Sequence, residues 1–246
     1  MKYGWRRDLP DQRDYQVSVS LFRKLTLPNK IDLRPQMPPV YDQLALGACT
    51  SNAVAATLDF ERGKQGEQTI SPSRLFVYYN ERVDQGTTKS DSGASIRESI
   101  KTVAKLGACP ESEWPYDITK YTQKPVQKCY TDALNNEALI YASLKNTLSN
   151  IKGVLASGMV VNFGFTVYES FESDVVTKTG IVPMPKPSEQ VLGGHAVVCV
   201  GYDNSKGFIV RNSWGSSWGI SGYCYMPYKY LTGKLASDFW VIKKVK

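Results

Sequence analysis

The period of the hydrophobic pattern changes once along this chain, and that change limits the folds open to it. From about residue 28 to residue 140 apolar side chains recur at helical spacing. Ala53, Val54, Ala56, Leu58 and Phe60 mark a segment from about Cys49 to Arg62, which Gly63 is expected to end. Ser71-Pro72 reads as the opening of a second helix, with serine as cap and proline in the first turn. Ser95 and Glu98 have capping-box spacing ahead of Ile96, Ile100 and Val103, and Gly107 closes that helix. A last helix of about Thr147 to Ser157 stops at Gly158. Short runs rich in β-branched and aromatic residues follow, at 160–165, 196–202, 207–211, 222–226 and 239–242. Asp203-Asn204-Ser205-Lys206-Gly207 reads as a hairpin turn and Pro183-Met184-Pro185-Lys186-Pro187 as a surface loop. Helices first and strands second predict an α+β protein with two segregated halves.

The 246 residues suit one large domain or two subdomains sharing an interface. No apolar run approaches the ~20 residues of a membrane-spanning helix, so no membrane partner is expected. Net charge is 30 − 23 = +7, but the charges of both signs are interleaved. The densest basic cluster is Lys243-Lys244-Val245-Lys246, so the charge reads as solubility and no nucleic-acid partner is expected. Five cysteines, Cys49, Cys109, Cys129, Cys199 and Cys224, include no pair at C-x2-C spacing, and neither metal nor cofactor is expected. Cys109 could pair with Cys129, and Cys199 with Cys224. The alternation in Val198-Cys199-Val200 and Tyr223-Cys224-Tyr225 marks packing positions and makes five free thiols the default. The first residues lack the apolar core of a secretion signal, which leaves localisation open.

Three short segments carry chemistry. In Gln43-Leu44-Ala45-Leu46-Gly47-Ala48-Cys49 a glycine-containing loop delivers a cysteine to the first turn of a helix, where free N–H groups and the helix dipole favour the thiolate. Such a thiol needs a cationic partner, and His195 is the chain's one histidine. It sits in Gly193-Gly194-His195-Ala196-Val197-Val198, whose glycines let a neighbouring group approach the ring. Asn212-Ser213-Trp214-Gly215-Ser216-Ser217-Trp218-Gly219 follows, offering an amide to orient an imidazole and an indole to shield the bond. Taken singly, each has a plainer reading: a buried helix cysteine, a structural histidine, and a turn with a core tryptophan.

In this order the three segments resemble the papain family of cysteine proteases, its bacterial branch above all. Ile31-Asp32-Leu33-Arg34 and the stretch from Gly107 through Cys109-Pro110 to Trp114-Pro115-Tyr116 resemble further landmarks of that family. The resemblance implies a helical left subdomain at about 35–140 and a β-barrel-like right subdomain at about 141–246, with the active site in the cleft between them. It makes Cys49 the nucleophile, His195 its acid–base partner, Asn212 the group that orients the ring, and Gln43 an oxyanion-hole donor. Trp214 would cover the histidine–asparagine contact. Gly93 and Ala94 would hydrogen-bond an extended substrate, with Gly194 beside it. Ile96, Phe163 and Ala196 would line an apolar pocket for the residue two before the scissile bond.

The sequence departs from the family at Leu46, where a disulfide cysteine is common, at Thr50, where a tryptophan commonly follows the nucleophile, and at Gly194, often Asp or Asn. These departures touch stability and pH profile and leave the catalytic atoms in place. The expected activity is a monomeric endopeptidase acting on proteins or peptides, because no histidines remain for a loop that captures a substrate's C-terminus. A catalytically inactive binding protein on the same fold and a thiol acyl-transfer enzyme are the alternatives. Residues 1–27 carry Tyr3, Trp5, Leu9, Tyr15, Val17, Leu21 and Phe22 among prolines and mixed charges, too irregular for a folded helical prodomain. They are expected to form an extended arm, either a short zymogen-like inhibitor lying over the cleft or a structural element bound elsewhere. As an inhibitor it would act by occupancy, without altering the response of Cys49 to pH.

Overall fold

The computed structural model describes residues 2–17 and 27–246. Leu21 and Phe22 of the arm lie outside the described residues. Helix α1 (Cys49–Lys64) is buried at every position from Cys49 to Arg62. Its polar residues are absorbed locally: the Ser51 hydroxyl donates to the Ala48 carbonyl at 3.0 Å, and Asp59 accepts the Ile70 N–H at 2.8 Å. The helix runs through Gly63, and the chain turns instead at Gly66, whose φ of +78° suits glycine. Helix α2 (Arg74–Asn80) is capped by Ser73, whose hydroxyl accepts the Phe76 N–H at 3.1 Å. The expected cap, Ser71-Pro72, lies before the helix, where Pro72 bridges to Pro110. Helix α3 (Ile96–Leu106) has the full capping box of Ser95 and Glu98 and ends at Gly107. Helix α4 (Gln127–Ala133) follows without a side-chain cap.

A seven-stranded sheet forms the rest of the molecule: β1 (Lys30–Asp32), β2 (Ala138–Ser143), β3 (Val161–Tyr168), β4 (Val191–Asp203), β5 (Gly207–Arg211), β6 (Tyr223–Met226) and β7 (Ala236–Val245). The spatial order is β2-β7-β3-β4-β5-β6, with β1 paired to β4, and all pairs are antiparallel. The ends of this order do not meet, so the sheet is open and the barrel-like expectation is corrected. Helices α5 (Leu148–Ala156), α6 (Asp174–Thr179) and α7 (Tyr228–Thr232) lie among the strands, and the Thr147 side chain caps α5. Among the described residues no helix is long and apolar enough to cross a membrane.

Two large apolar clusters follow from this layout. One joins Ile151, Val154 and Leu155 of α5 to Val161, Phe163, Val198 and Val210 of the sheet. The other joins Val54 and Leu58 of α1 to Ile96, Ile100 and Val103 of α3, and includes Cys49, Ala196 and Trp240. Helix α1 therefore packs between the helices and the sheet, and the Thr57 hydroxyl donates to Asn162 of β3 at 3.0 Å. The N-terminus of α1 and the start of the buried part of β4 meet at this seam.

Candidate active site

Ala48 precedes α1 and offers no side-chain cap, so the first-turn N–H groups are free to face the Cys49 thiol. The backbone amides of Ala196, Thr50 and Gly4 support the sulfur. Burial nevertheless dominates and pushes the thiol up to about 11. His195 on β4 is equally enclosed; its Nε2 lies 2.8 Å from Asn212 Oδ1. That oxygen also accepts the Ser213 N–H at 2.8 Å, which fixes the amide orientation and makes Nε2 the protonated nitrogen. Nδ1 is left as the ring's free proton acceptor. Trp214 stacks on the imidazole with centroids 5.0 Å apart, backed by Phe171 and Trp218. Burial lowers the His195 pKa to about 4, against the smaller upward pull of Asn212. Thiol and imidazole are thus both held neutral.

Gln43 is fully buried in a turn held by its backbone N–H to Ser213 at 2.8 Å and by the Tyr116 hydroxyl, which donates to its carbonyl at 3.0 Å. Its side-chain oxygen accepts Ser213 Oγ at 2.7 Å, which points Nε2 the other way. Nε2 donates to Leu46 O at 2.9 Å and to the carbonyl of Lys2 at 3.1 Å. The second acceptor belongs to the N-terminal arm.

The arm runs directly over these residues. Gly4 O accepts the Ala94 N–H at 2.9 Å, Arg6 N–H donates to Ala94 O at 2.9 Å, and Trp5 N–H donates to Gly194 O at 3.1 Å. Trp5 pairs with Ala94 in the parallel sense. Tyr3 sits with its ring centroid 6.1 Å from that of His195, and its hydroxyl donates to Glu172. The Trp5 indole packs against the cluster that holds Cys49, Ile96 and Ala196. Glycine makes room for it: a Cβ at Gly164 would fall 1.9 Å from the indole and one at Gly194 2.7 Å from it, while one at Gly193 would fall 2.8 Å from the Tyr3 ring. The two glycines before His195 do admit a neighbouring group, and that group is the arm. Cys49 and His195 both lie fully buried beneath this cover.

The structure brings Cys49, His195, Asn212, Gln43 and Trp214 together, with Ala94, Ile96, Gly194 and Ala196 around Trp5 and Gly93 against Gly4. Phe163 is placed elsewhere. It stacks with Phe239 at 5.3 Å in the sheet core, and alternation along β3 turns Gly164, not Phe163, toward the arm. Two acidic residues were not foreseen. Asp238 accepts the Trp5 indole N–H at 3.1 Å and the Asp8 N–H at 2.7 Å. A register shift between β3 and β7, with Asp238 at φ +56°, aims it there, and nothing in the sequence marks such a bulge. Glu81, fully buried, accepts the hydroxyl of Thr50, the residue after Cys49, at 2.8 Å, and burial pushes it up to about 8. All five cysteines are free thiols.

A thiol at a helix N-terminus, an imidazole held by an amide and a buried glutamine are the groups that a cysteine protease site needs. The family model for papain family cysteine proteases matches residues 27–238, and the chain belongs to that family. Xylellain, a cysteine protease from Xylella fastidiosa, has a similar solved structure, with TM-score 0.90 and 41% identity over 99% of this chain and 96% of that one. An uncharacterized peptidase C1-like protein of Acanthamoeba polyphaga mimivirus is 45% identical over 99% of this chain and 87% of its own length. A probable cysteine protease of Arabidopsis thaliana is 30% identical over 80% of this chain, which spans only 43% of that protein. The protein is a cysteine peptidase.

Proposed function

We propose that this peptidase cleaves internal peptide bonds with Cys49, His195, Asn212 and Gln43, and that its own residues 2–8 occupy the cleft as a reversed, uncleaved ligand. A division into a helical part near 35–140 and a β part near 141–246, with the arm as a separate 1–27 segment, belongs to the same reading. With the arm displaced and water readmitted, Cys49 and His195 can hold their charged forms. The Cys49 thiolate attacks the substrate carbonyl carbon. The developing oxyanion takes the Cys49 N–H and Gln43 Nε2, a type of contact worth ~2.7–4 kcal/mol in the transition state. His195 Nδ1–H then protonates the departing amine, and the same nitrogen, once neutral, removes a proton from the water that hydrolyses the thioester. Asn212 keeps Nε2 protonated throughout, so the reactive nitrogen always faces the sulfur.

The observation that carries the arm's role is its direction. In a substrate the residue filling the pocket precedes the carbonyl in the oxyanion hole. In the arm the Lys2 carbonyl is at Gln43, and Trp5, which fills the pocket, comes three positions later (5 − 2 = 3). Occupancy with reversed polarity presents no correctly placed leaving amine. The pocket also carries Asp238 at its floor, so the preferred residue two before the scissile bond is a large apolar one that can donate a hydrogen bond, tryptophan or tyrosine. Stoichiometric epoxide labelling of Cys49 in a protein beginning at Leu27, with turnover of an end-blocked peptide abolished by Cys49→Ala, is the expected result. Labelling without turnover would favour the inactive binding protein, and amine transfer in place of hydrolysis the acyl-transfer enzyme. Activity confined to free-ended peptides would refute the endopeptidase reading.

A further inference from the structure

One cluster of nucleophilic side chains has no part in the cleft. Cys109, Glu113 and Cys129 bring two sulfurs and a carboxylate oxygen within 4.8 Å of one another. Cys109 follows α3 after Gly107-Ala108, Glu113 lies in the next loop and Cys129 on α4. Both cysteines are fully buried, and the Cys129 thiol leans on the Glu113 carbonyl at 3.9 Å. Glu113 Oε2 is buried without a partner, while Oε1 receives the Lys128 ammonium at 2.5 Å. Burial and the neighbouring sulfur both push the Cys109 thiol up, and its sulfur lies within 4.8 Å of that of Cys129.

A divalent cation is a poor occupant here. Structural thiolate sites use four ligands, three are present among the described residues, and Lys128 already places a positive charge on the carboxylate. We propose that Cys109 and Cys129 form a redox pair that closes to an intramolecular disulfide when the protein meets a small-molecule disulfide oxidant. Glu113 Oε2 accepts the Cys129 proton, and the Cys129 thiolate attacks one sulfur of the oxidant. The oxidant's S–S bond breaks, one small thiol leaves, and a mixed disulfide remains on Cys129. Cys109 loses its proton and attacks Cys129 Sγ, expelling the second small thiol. The pair gives up two electrons and two protons, and the oxidant gains both as two thiols. Entry is through α4, a seven-residue helix without a side-chain cap, which opens more cheaply than the core helices.

The closed bridge would tie α4 to the loop that backs Gln43. Cys109 O accepts the Ser73 N–H at 2.8 Å, Ser73 Oγ donates to Trp114 O at 2.6 Å, and Tyr116 two residues on donates to Gln43 O at 3.0 Å. Closure constrains the unfolded chain and is expected to raise the melting midpoint by roughly 5–10 °C.

The test uses the full chain with Cys49→Ala, which leaves four of the five thiols and removes the reactive one. The folded protein is held in glutathione buffers of rising oxidised fraction, alkylated in denaturant and mapped by mass. The expected result is a Cys109–Cys129 linked peptide, two titratable thiols left of the four (4 − 2 = 2), and the higher melting midpoint. Adding Cys129→Ser should remove the linked peptide and the rise in melting. Should that variant fail to fold, the linked peptide in Cys49→Ala still decides. Four titratable thiols, glutathione adducts without a bridge, or a Cys199–Cys224 bridge alone would overturn the proposal. Zinc bound with Cys109 and Cys129 protected from alkylation would overturn it in favour of a metal site. The readout is a mass, so it stands apart from the peptidase reading.

Discussion

Gly4→Ala isolates the arm from everything beneath it. A Cβ at Gly4 would lie 1.7 Å from the carbonyl oxygen of Gly47 and 2.4 Å from its carbon, against a floor near 3.0 Å for real contacts. Both colliding atoms are backbone, so the arm must withdraw by more than an ångström. Its three backbone bonds to Ala94 and Gly194, at 2.9–3.1 Å, do not survive that movement. Each is worth ~0.5–1.5 kcal/mol net, and forced overpacking costs ~1–3 kcal/mol. The docked state therefore loses about 2.5–7.5 kcal/mol, roughly two to five powers of ten in the docking equilibrium. The assay compares the parent chain, Gly4→Ala and a protein beginning at Leu27, by hydrolysis of an end-blocked fluorogenic peptide and by the rate of epoxide labelling at Cys49. Gly4→Ala should reach the rates of the shortened protein. A shortened protein no faster than the parent would refute occlusion altogether. A fast shortened protein beside an unchanged Gly4→Ala would refute the docking geometry.

Trp5→Ala should also open the cleft, by about 3 kcal/mol, the low end for truncating an aromatic because the indole is half-buried; labelling of Cys49 should quicken some hundredfold. Trp5→Phe, which keeps the packing and loses only the N–H to Asp238, should fall between the two in the same assay. Burial and the nearby Asp8 carboxyl raise Asp238 to about 6, and burial raises Asp8, so the docked arm holds protons that the free arm releases. Docking is accordingly strongest below about pH 4 and weakens as pH rises through about 6; the ratio of parent to shortened-protein activity should climb over that window, and climb less in Asp238→Asn, where only Asp8 remains to titrate. Asn212→Ala should lower turnover in the shortened protein less than His195→Ala does, because it frees the ring to rotate and removes no reacting atom; equal losses would mean that the amide does more than orient.

The candidate catalytic residues are legible because they are punctuated locally. Gly47 before Cys49, Gly193-Gly194 before His195 and Asn212-Ser213-Trp214 are each a few residues long, and their chemistry depends on residue type. Helix α3 was legible for the same reason, since its capping box lies within four residues. What escaped notice depends on pairing across the chain. Ser71-Pro72 looks like a helix start, but Pro72 is held by Pro110 and the cap passes to Ser73. Strand β2 needs β7 to exist, and Leu139 and Ile140 at its edge are about half exposed, so no alternation marks it. Phe163 is a pocket residue only by what the family resemblance implies. The register of β3 against β4 and β7 decides otherwise and gives that position to a glycine.

Glycine is also where the sequence makes room for the arm. Gly47, Gly93, Gly164, Gly193 and Gly194 are scattered over about 150 residues of chain (194 − 47 = 147). In the structure all five abut Tyr3, Gly4 or Trp5. At Gly93 an added Cβ would lie 2.0 Å from the Gly4 carbonyl oxygen, so the wall of the cleft is shaped to the arm's main chain as well as to its indole. The same close fit has an electrostatic effect. Burial raises Cys49 and lowers His195, and a neutral thiol beside a neutral imidazole is a poor nucleophile. If the arm supplies that burial, steric cover and suppression of the ion pair are one event. Displacing residues 2–6 should restore both access and charge separation, so the pH at which Cys49 becomes reactive should fall on removal of the arm. An unchanged reactive pKa in the protein beginning at Leu27 would reduce the arm to a steric plug and separate the two effects.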